Sequence, residues 1–266
     1  MERQVFDAFR KIVYEKSGIT LNEGKESLVS ARIGKRMRVL GLTEHKDYLK
    51  LVREDTTGEE IVQLLDYIST NVTSFFREPA HFDFMRNELK KWVNEGQRRF
   101  RFWSAACSSG EEPYSMAMVV AEELGLSADA RILATDISTR ILEKSVNGSY
   151  EASKVEPIPT DLRGRYFSGE KRNNSFVYSV VPTLKKMILF KRLNLSEPPF
   201  PMKGPLDIVF CRNVMIYFDN AVRTRLVNEI YRLLKPGGFL FVGHAESLTG
   251  LDTKFVSAQP AIYVKK

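Results

Sequence analysis

Apolar and polar positions in the first seventy residues recur with the spacing of amphipathic helices. The first helix, in VFDAFRKIVYEKSG, ends at Gly18, and a second, in SLVSARIGKRMRVLGL, ends at Gly41. A third follows Thr43 as its N-cap, and residues 57–69 form a fourth. The inward positions of the first and fourth helices are Val5, Phe6, Phe9, Ile12, Val13, Ile61, Leu64, Leu65 and Ile68. Since no strand pattern interrupts them, residues 1–70 are predicted to form a small all-α domain.

From residue 99 the pattern changes to strands that alternate with helices. The predicted strands are RFRFWSA, RILATDI, LDIVFC and GFLFVGH. Pro113 lies in the first turn of the helix after the first strand, Asp219 caps the helix that runs to Leu234, and KPGG forms the turn before the fourth strand. FVSAQPAIYVKK is predicted to be a terminal antiparallel hairpin. This order predicts an α/β fold over residues 99–266, a doubly wound Rossmann-like sheet with its ligand at the carboxyl ends of the strands.

Two segments lie outside this alternation. Residues 71–98 are interpreted as a linker and a connecting helix that contribute to the ligand site. Between about residues 163 and 194, the turn-rich sequence SGEKRNNS is flanked by FVYSVV and MILFKRLN, both of which have strand character. We predict a small antiparallel β insertion on the sheet edge there.

Charge and cysteine content limit the partners and the cellular compartment that the sequence predicts. The 266 residues carry a net charge of +7 with a pI near 9.3, which favours an acidic partner. Cys107 and Cys211 are far apart and have no CxxC spacing, so a disulfide framework or structural zinc site is not expected. The sequence contains no secretory signal and no apolar run of bilayer length. A cytoplasmic protein without membrane insertion is therefore expected.

A cluster of cations without intervening acids lies in the second predicted helix, at Arg32, Lys35, Arg36 and Arg38. Such a cluster is either a solvated helix face or a docking surface for an acidic protein. His45, His81 and His244 show no ligand spacing. The HxE formed by His244 and Glu246 lacks the PCxxC that completes the zinc site of a deaminase. No metal site is therefore expected.

The sequence SAACSSGEEPYS, residues 104–115, follows a strand and opens a helix, as a nucleotide-binding loop does. It has one glycine, Gly110, where dinucleotide-binding loops have three. S-adenosylmethionine has no pyrophosphate, so small residues that permit close approach and carboxylates that accept from its ammonium group would suffice. Glu111 and Glu112 supply such carboxylates. The alternative is an ordinary helix N-terminus with favourably placed acids.

Further polar residues lie at the ends of the predicted strands and between the domains. Asp136 ends ILATD, where it would bind ribose hydroxyls or cap the next helix. Asn213, in CRNVMIYF, could contact cofactor or substrate, whereas Tyr217 is either a site residue or part of the core. A third group, in TNVTSFFREPAHF between the domains, consists of Asn71, Thr73 and Arg77. For that group a functional role is favoured over linker packing.

Five segments together resemble the bacterial chemotaxis receptor methyltransferases, the CheR family. They are TNVTSFFRE, FWSAACSSGEEPYSMAM, ILATDIS, DIVFCRNVMIYFD and LLKPGGFLFVGHAESL, and they span nearly the whole chain in this order. The resemblance implies a class I methyltransferase fold that uses S-adenosylmethionine. It also implies that glutamate side chains on the cytoplasmic helical bundle of chemoreceptors are the acceptors, and that methyl esters are the products.

The resemblance also implies a set of site residues. Those that would line the cofactor are Asn71, Thr73, Arg77, Ala106, Glu112, Asp136, Asn194, Leu195, Arg212 and Asn213. Arg77 and Tyr217 would lie beside the transferred methyl, and the cations from Arg32 to Arg38 would face the acidic methylation region of the receptor. The β insertion corresponds to a subdomain that in some members tethers a receptor-tail pentapeptide through a glycine-rich loop. SGEKRNNS has only Gly169, so this protein is not expected to depend on the tether. A monomer is expected, since nothing in the sequence demands a larger assembly.

Two other functions remain open. The basic pI suggests an RNA or DNA methyltransferase, although the strand ends in CRNV instead of the Asn/Asp-Pro-Pro-aromatic tetrad of adenine methyltransferases, and EPPF precedes that strand. Steep salt dependence of nucleic-acid binding would support this function. The second alternative is a non-catalytic regulator that keeps the fold, which cofactor binding without turnover would support.

Overall fold

A computed structural model describes residues 1–69, 71–172 and 175–266 of the chain. Its N-terminal part consists of α1 (Arg3–Ser17), a 3₁₀ turn (Glu23–Lys25), α2 (Glu26–Leu40), α3 (His45–Glu54) and α4 (Glu59–Ile68). The first two helices end as predicted, because Gly18 and Gly41 have left-handed φ values of +69° and +70° that other residues rarely adopt. These helices enclose a core of their own, which includes Phe6, Phe9, Val13, Val29, Ile33, Tyr48, Leu64, Leu65 and Ile68.

The predicted starts of the third and fourth helices are wrong by one and two residues, respectively. α3 follows Glu44, so Thr43 is not its N-cap. α4 begins at Glu59 instead of residue 57. The reason is local, since the Asp55 carboxylate accepts the backbone N–H groups of Thr57 and Glu60 at 2.9 and 2.7 Å. These bonds hold the residues before α4 in a turn.

A seven-stranded sheet with the order β6-β2-β1-β7-β8-β10-β9 forms the rest of the fold. The strands are β1 (Arg99–Ser104), β2 (Asp129–Asp136), β6 (Ile188–Arg192), β7 (Leu206–Phe210), β8 (Leu234–Phe241), β9 (Val256–Gln259) and β10 (Ile262–Val264). The first five in spatial order are parallel, and the last two form the predicted terminal hairpin. The main helices around the sheet are α5 (Pro79–Asn94), α6 (Glu111–Leu124), α7 (Thr139–Asn147) and α11 (Asn220–Leu233). The predicted Rossmann-like α/β fold is confirmed.

Alternate strand residues face opposite sides of this sheet. Phe102 and Phe210 pack in the core that contains α5 and α6, whereas Trp103 and Val209 pack in the core that contains α11. This period of two follows from the pleat of the strands. The helices on both faces bury the sheet, which explains why all five residues of LDIVF are buried. Among the described residues, no helix is both long and apolar enough to cross a membrane.

A second, three-stranded antiparallel sheet has the order β3-β5-β4. Its strands are β3 (Ser149–Glu151), β4 (Phe167–Arg172) and β5 (Ser175–Val180), and short helices α8 (Ala152–Val155), α9 (Thr160–Tyr166) and α10 (Pro182–Lys185) accompany them. The predicted β insertion is thus present, but two details of it were wrong. The residues SGEKR belong to strand β4 and not to a turn, while Asn173 and Asn174 lie outside the described residues. MILFKR does not join the insertion, because β6 pairs in parallel with β2 as the edge of the main sheet.

The KPGG sequence also differs from its prediction as a turn. It lies inside β8, where Leu206 pairs with Leu234 but Ile208 pairs with Phe239. The extra residues form a bulge, and Gly237 supplies the left-handed φ of +73° within it.

Candidate functional site

A pocket lies between the helical domain and the carboxyl edge of the main sheet. The register explains its position, since Ser104 at the end of β1 pairs with Ala134 of β2 and Phe210 of β7. Loops that leave these strands therefore converge at one edge. Residues of α2, including Leu28 and Arg32, close the opposite side.

The residues predicted from the sequence meet in this interdomain pocket. Its lining includes Asn71, Thr73, Arg77, Ala106, Glu112, Asp136, Asn194, Leu195, Arg212, Asn213 and Tyr217. Glu111 points elsewhere, because its carboxylate accepts from the Ser109 hydroxyl at 2.6 Å and lies 3.7 Å from the Lys154 ammonium. The choice of Glu112 over Glu111 therefore agrees with the geometry. The role of each residue toward a bound ligand stays a prediction.

The single glycine of the cofactor loop has a structural reason. Gly110 has a φ of +96°, and a Cβ there would lie 2.9 Å from the Tyr150 hydroxyl and 3.2 Å from Cα of Ser145. The glycine thus permits the loop to turn and to contact α7 and β3. Toward the pocket, the loop presents the short side chains of Ala105, Ala106 and Ser108.

Asp136 joins the loops that follow β1 and β2. Its two carboxylate oxygens accept the backbone N–H groups of Ser108 at 2.9 Å and Ser138 at 3.0 Å. Burial raises the pKa of Asp136, against the lowering effect of these N–H groups. The alternative role as helix cap falls to Ser138, whose hydroxyl accepts the N–H of Ile141. Asp136 therefore fixes the shape of the pocket wall as well as contributing a carboxylate to it.

Arg212 connects three segments of the site through its buried guanidinium. Nη1 donates to Oε2 of Glu112 at 3.0 Å, and Nη2 donates to Oε2 of Glu78 at 3.0 Å and to the Arg77 carbonyl. The other oxygen of Glu112 accepts from Ser104 at 2.7 Å. Burial raises the pKa of Glu112, although Arg212 opposes this. For Glu78 burial also opposes ionisation, but Arg212 lowers the pKa below its usual range.

Glu78 was not singled out from the sequence, and it belongs to a cluster with two histidines. Its Oε2 lies 3.4 Å from Nδ1 of His81 and 3.9 Å from Nε2 of His244. One ligand atom from each residue lies within 4.8 Å of the others, although the sequence shows no ligand spacing between the two histidines. Arg212 donates to the same Glu78 oxygen and already compensates its charge. The cluster is therefore poorly suited to a cation.

The cations of α2 do not form one surface. Arg36 donates to both oxygens of Glu60 at 2.9 and 2.6 Å and is largely buried, with a side chain 18% exposed. Arg32 donates to the Ile68 carbonyl and lines the pocket. Lys35 and Arg38 are exposed. Arg36 is therefore not available for the predicted docking surface, because its charge is paired with Glu60 inside the helical domain.

The helical domain is tied to the sheet domain beside the pocket. The Thr20 N–H donates to the Tyr217 carbonyl at 2.8 Å, and Nδ2 of Asn194 donates to the Lys16 carbonyl at 3.0 Å. Lys25 places its ammonium 5.5 Å from the centre of the Tyr217 ring. Asn194 thus uses its side-chain amide to join the domains, which the sequence did not indicate.

Two families match the chain. Residues 4–69 match the CheR methyltransferase, all-alpha domain, and residues 71–264 match the CheR methyltransferase, SAM binding domain.

Curated relatives match nearly the full length. The chemotaxis protein methyltransferase of Borreliella burgdorferi is 38% identical over 263 residues, which cover 96% of this chain and 92% of that protein. The chemotaxis protein methyltransferase of Escherichia coli K12 is 34% identical, with 97% of this chain and 89% of that protein covered. Chemotaxis protein methyltransferase 2 of Pseudomonas aeruginosa is 36% identical, with coverage of 98% and 92%.

Proposed function

The chain belongs to the CheR methyltransferase family, and on that premise we propose that it methylates glutamate side chains on the cytoplasmic helical bundle of chemoreceptors. It uses S-adenosylmethionine as the methyl donor. The observation that carries the proposal is the interdomain pocket, which collects every residue predicted for the cofactor and both residues predicted beside the methyl group. The protein acts as a monomer in the cytoplasm, and nucleic acid is not its substrate.

The pocket has the chemistry that S-adenosylmethionine requires. Short side chains at Ala105, Ala106 and Ser108 leave room beside the strand ends, while Glu112 and Asp136 line the same space with carboxylates. Near Arg77, Glu112 and its partner Arg212 would hold the cofactor, with Glu112 accepting from its ammonium group, and Asp136 would accept its ribose hydroxyls. When bound, S-adenosylmethionine supplies an electrophilic methyl group on a sulfonium.

The reaction needs positioning more than proton transfer. A glutamate carboxylate has a pKa near 4.3, so it is ionised at neutral pH and needs no general base. With S-adenosylmethionine bound, a carboxylate oxygen would take its methyl group, and the electron pair of the broken carbon–sulfur bond would remain on sulfur. No proton moves in this step. Correct alignment of two reactants can lower a barrier by roughly 7–11 kcal/mol, which is the contribution that the pocket must make.

Arg77 and Tyr217 have different parts in this alignment. Arg77 keeps one N–H on the Val72 carbonyl at 3.0 Å, and it orients donor or acceptor by a single further hydrogen bond. A bidentate clamp would stabilise the carboxylate before attack and reduce its reactivity. Tyr217 forms the wall beside the methyl group. Its backbone bond to Thr20 makes the helical domain part of that wall.

Receptor recognition involves the exposed cations of α2. Lys35 and Arg38 are exposed, and Arg32 lies at the pocket, so an acidic receptor helix can contact them while its glutamate enters. The tail pentapeptide is not required. In support, Gly169 lies within β4, where a Cβ would collide with the Phe176 ring. This glycine serves strand packing and not a flexible loop.

The direct test is methyl transfer from labelled S-adenosylmethionine to a purified chemoreceptor cytoplasmic fragment. Label that is released by base is expected, since a glutamate ester is base-labile and an N-methyl group is not. Lys35→Glu with Arg38→Glu should raise KM for the receptor fragment and leave affinity for S-adenosylmethionine unchanged. Absence of label, with cofactor binding intact by calorimetry, would contradict the proposed acceptor.

A further inference from the structure

We propose that Glu246 is a positioning residue, which fixes the segment that carries Asn213 and Tyr217 in its active geometry. Glu246 follows β8 and is only 7% exposed. Its Oε2 accepts the backbone N–H groups of Gly243 at 2.6 Å and Asn213 at 2.7 Å, and its Oε1 accepts that of Ile216 at 3.2 Å. One carboxylate therefore joins the chain after β7 to the chain after β8. The inference rests on the proposed function of the pocket.

The segment after β7 needs such an anchor. Asn213 has a φ of +59°, a left-handed conformation that asparagine adopts more readily than other residues with a side chain but that ends the extended run of β7. The following residues form a single 3₁₀ turn at Met215–Tyr217. Within the turn, the Tyr217 N–H donates to the Val214 carbonyl at 3.1 Å. The N–H groups of Asn213 and Ile216 instead donate to the Glu246 carboxylate, in charge-assisted hydrogen bonds.

The approach of Glu246 is close enough to restrict its neighbours. A Cβ at Gly243 would lie 2.9 Å from Oε2 of Glu246 and would collide with the Asn213 amide. Gly243 thus permits the carboxylate and the Asn213 side chain to share one space. On its other side, Nδ2 of the Asn213 side chain lies 3.5 Å from Oε1 of Glu78. Glu246 and Glu78 hold Asn213 from two directions.

Glu246 acts through this segment and does not itself touch the ligand. Asn213, Val214 and Tyr217 line the pocket, whereas Glu246 lies behind them. Loss of its carboxylate should therefore change alignment at the methyl group more than cofactor binding, most of whose lining residues lie on other loops. This predicts an effect mainly on kcat.

The test compares Glu246→Gln with a matched control. Glu229 is also buried, at 8% exposure, and accepts a backbone N–H, that of Phe200 at 2.8 Å. Glu246→Gln should lower kcat at least tenfold and change KM for S-adenosylmethionine less than threefold, whereas Glu229→Gln should leave kcat within twofold. Glu246→Asp keeps the charge and should lower kcat at least threefold, so the test does not depend on the folding of the glutamine variant. Unchanged kcat in either folded Glu246 variant would overturn the proposal.

Amide hydrogen exchange gives a readout that does not depend on methyl transfer. In Glu246→Gln, peptides over residues 211–217 and 242–247 should exchange faster, while those of β1 and α6 keep wild-type protection. Unchanged protection of both segments would overturn the inference even if receptor methylation is established. Local loss of protection in a protein that methylates no receptor would instead refute the proposed function and leave the positioning role intact.

Discussion

Replacement of Arg212 by methionine removes the guanidinium that pairs with both Glu78 and Glu112. The two largely buried carboxylates then lack the cation that compensates them. The Arg212 side chain is 1% exposed, and those of Glu112 and Glu78 are 12% and 13% exposed. Removing one partner of a buried ion pair costs about 3–5 kcal/mol, because the remaining charge is uncompensated. For a domain of this size each kcal/mol lowers Tm by roughly 2–4 °C. We therefore expect a loss of about 6–20 °C.

The loss should depend on pH in a defined direction. Without Arg212, burial raises the folded-state pKa of Glu78 above that of the unfolded chain, and the pKa of Glu112, which burial already raises, rises further. The folded variant then binds more protons than the unfolded one, so its free energy of unfolding increases relative to wild type as pH falls from 8 to 6. Adding Glu112→Gln should recover part of the loss at pH 8, since it removes one of the two charges.

Urea unfolding at several pH values measures this effect. The matched control is Arg86→Met, because Arg86 pairs with Asp83 and Glu123 at 3.0 Å near the surface and is 33% exposed. That change should cost less than about 1 kcal/mol at every pH. A cost below about 1 kcal/mol for Arg212→Met, or one that does not vary with pH, would refute the reasoning.

Three further predictions follow from the site. Arg77→Ala should abolish most turnover with the fold intact, and near-normal turnover in a methyl-transfer assay would remove Arg77 from the mechanism. Tyr217→Phe should lower kcat more than cofactor affinity, as steady-state kinetics and calorimetry can compare; an unchanged kcat would contradict this role. Burial and then the Arg212 charge lower the pKa of His81 from 6.5 to about 4. As pH falls, His81 is therefore protonated in the unfolded chain before it is protonated in the folded protein. The free energy of unfolding should fall by about 2 kcal/mol from pH 7 to 5. This fall should be absent in His81→Leu, and an equal slope in both proteins would count against it.

The strands and the pocket could be predicted because their signals are local. Each buried strand is a short, largely apolar run, and a polar residue lies at its end, such as Asp136, or within three residues of it, such as Asn213. The carboxyl ends of parallel strands meet at one edge, so these residues had to converge. The segment from Asn71 to Arg77 follows no strand, so this convergence does not place it. Its role toward the cofactor was implied by the family resemblance.

The contacts between these residues could not be predicted because they join distant parts of the chain. Glu78 and Arg212 are separated by 134 positions, and Asn213 and Glu246 by 33. A lone glutamate has no pattern that identifies its partner. The same reason explains Arg36, which the sequence places among the cations of α2, whereas in the folded protein it pairs with Glu60. Strand character in MILFKR likewise does not specify which sheet the strand joins.

Methylation of receptor glutamates is tested most directly by mapping the methyl group on the acceptor protein. A chemoreceptor cytoplasmic fragment is incubated with the protein and S-adenosylmethionine, and its peptides are sequenced by tandem mass spectrometry, with Arg77→Ala as the control enzyme. We expect a methyl mass increment on glutamate side chains of the helical bundle with the wild-type protein, and a large loss of this increment with the variant. Methylation on lysine, on other residues or on added nucleic acid, with unmodified receptor glutamates, would contradict it.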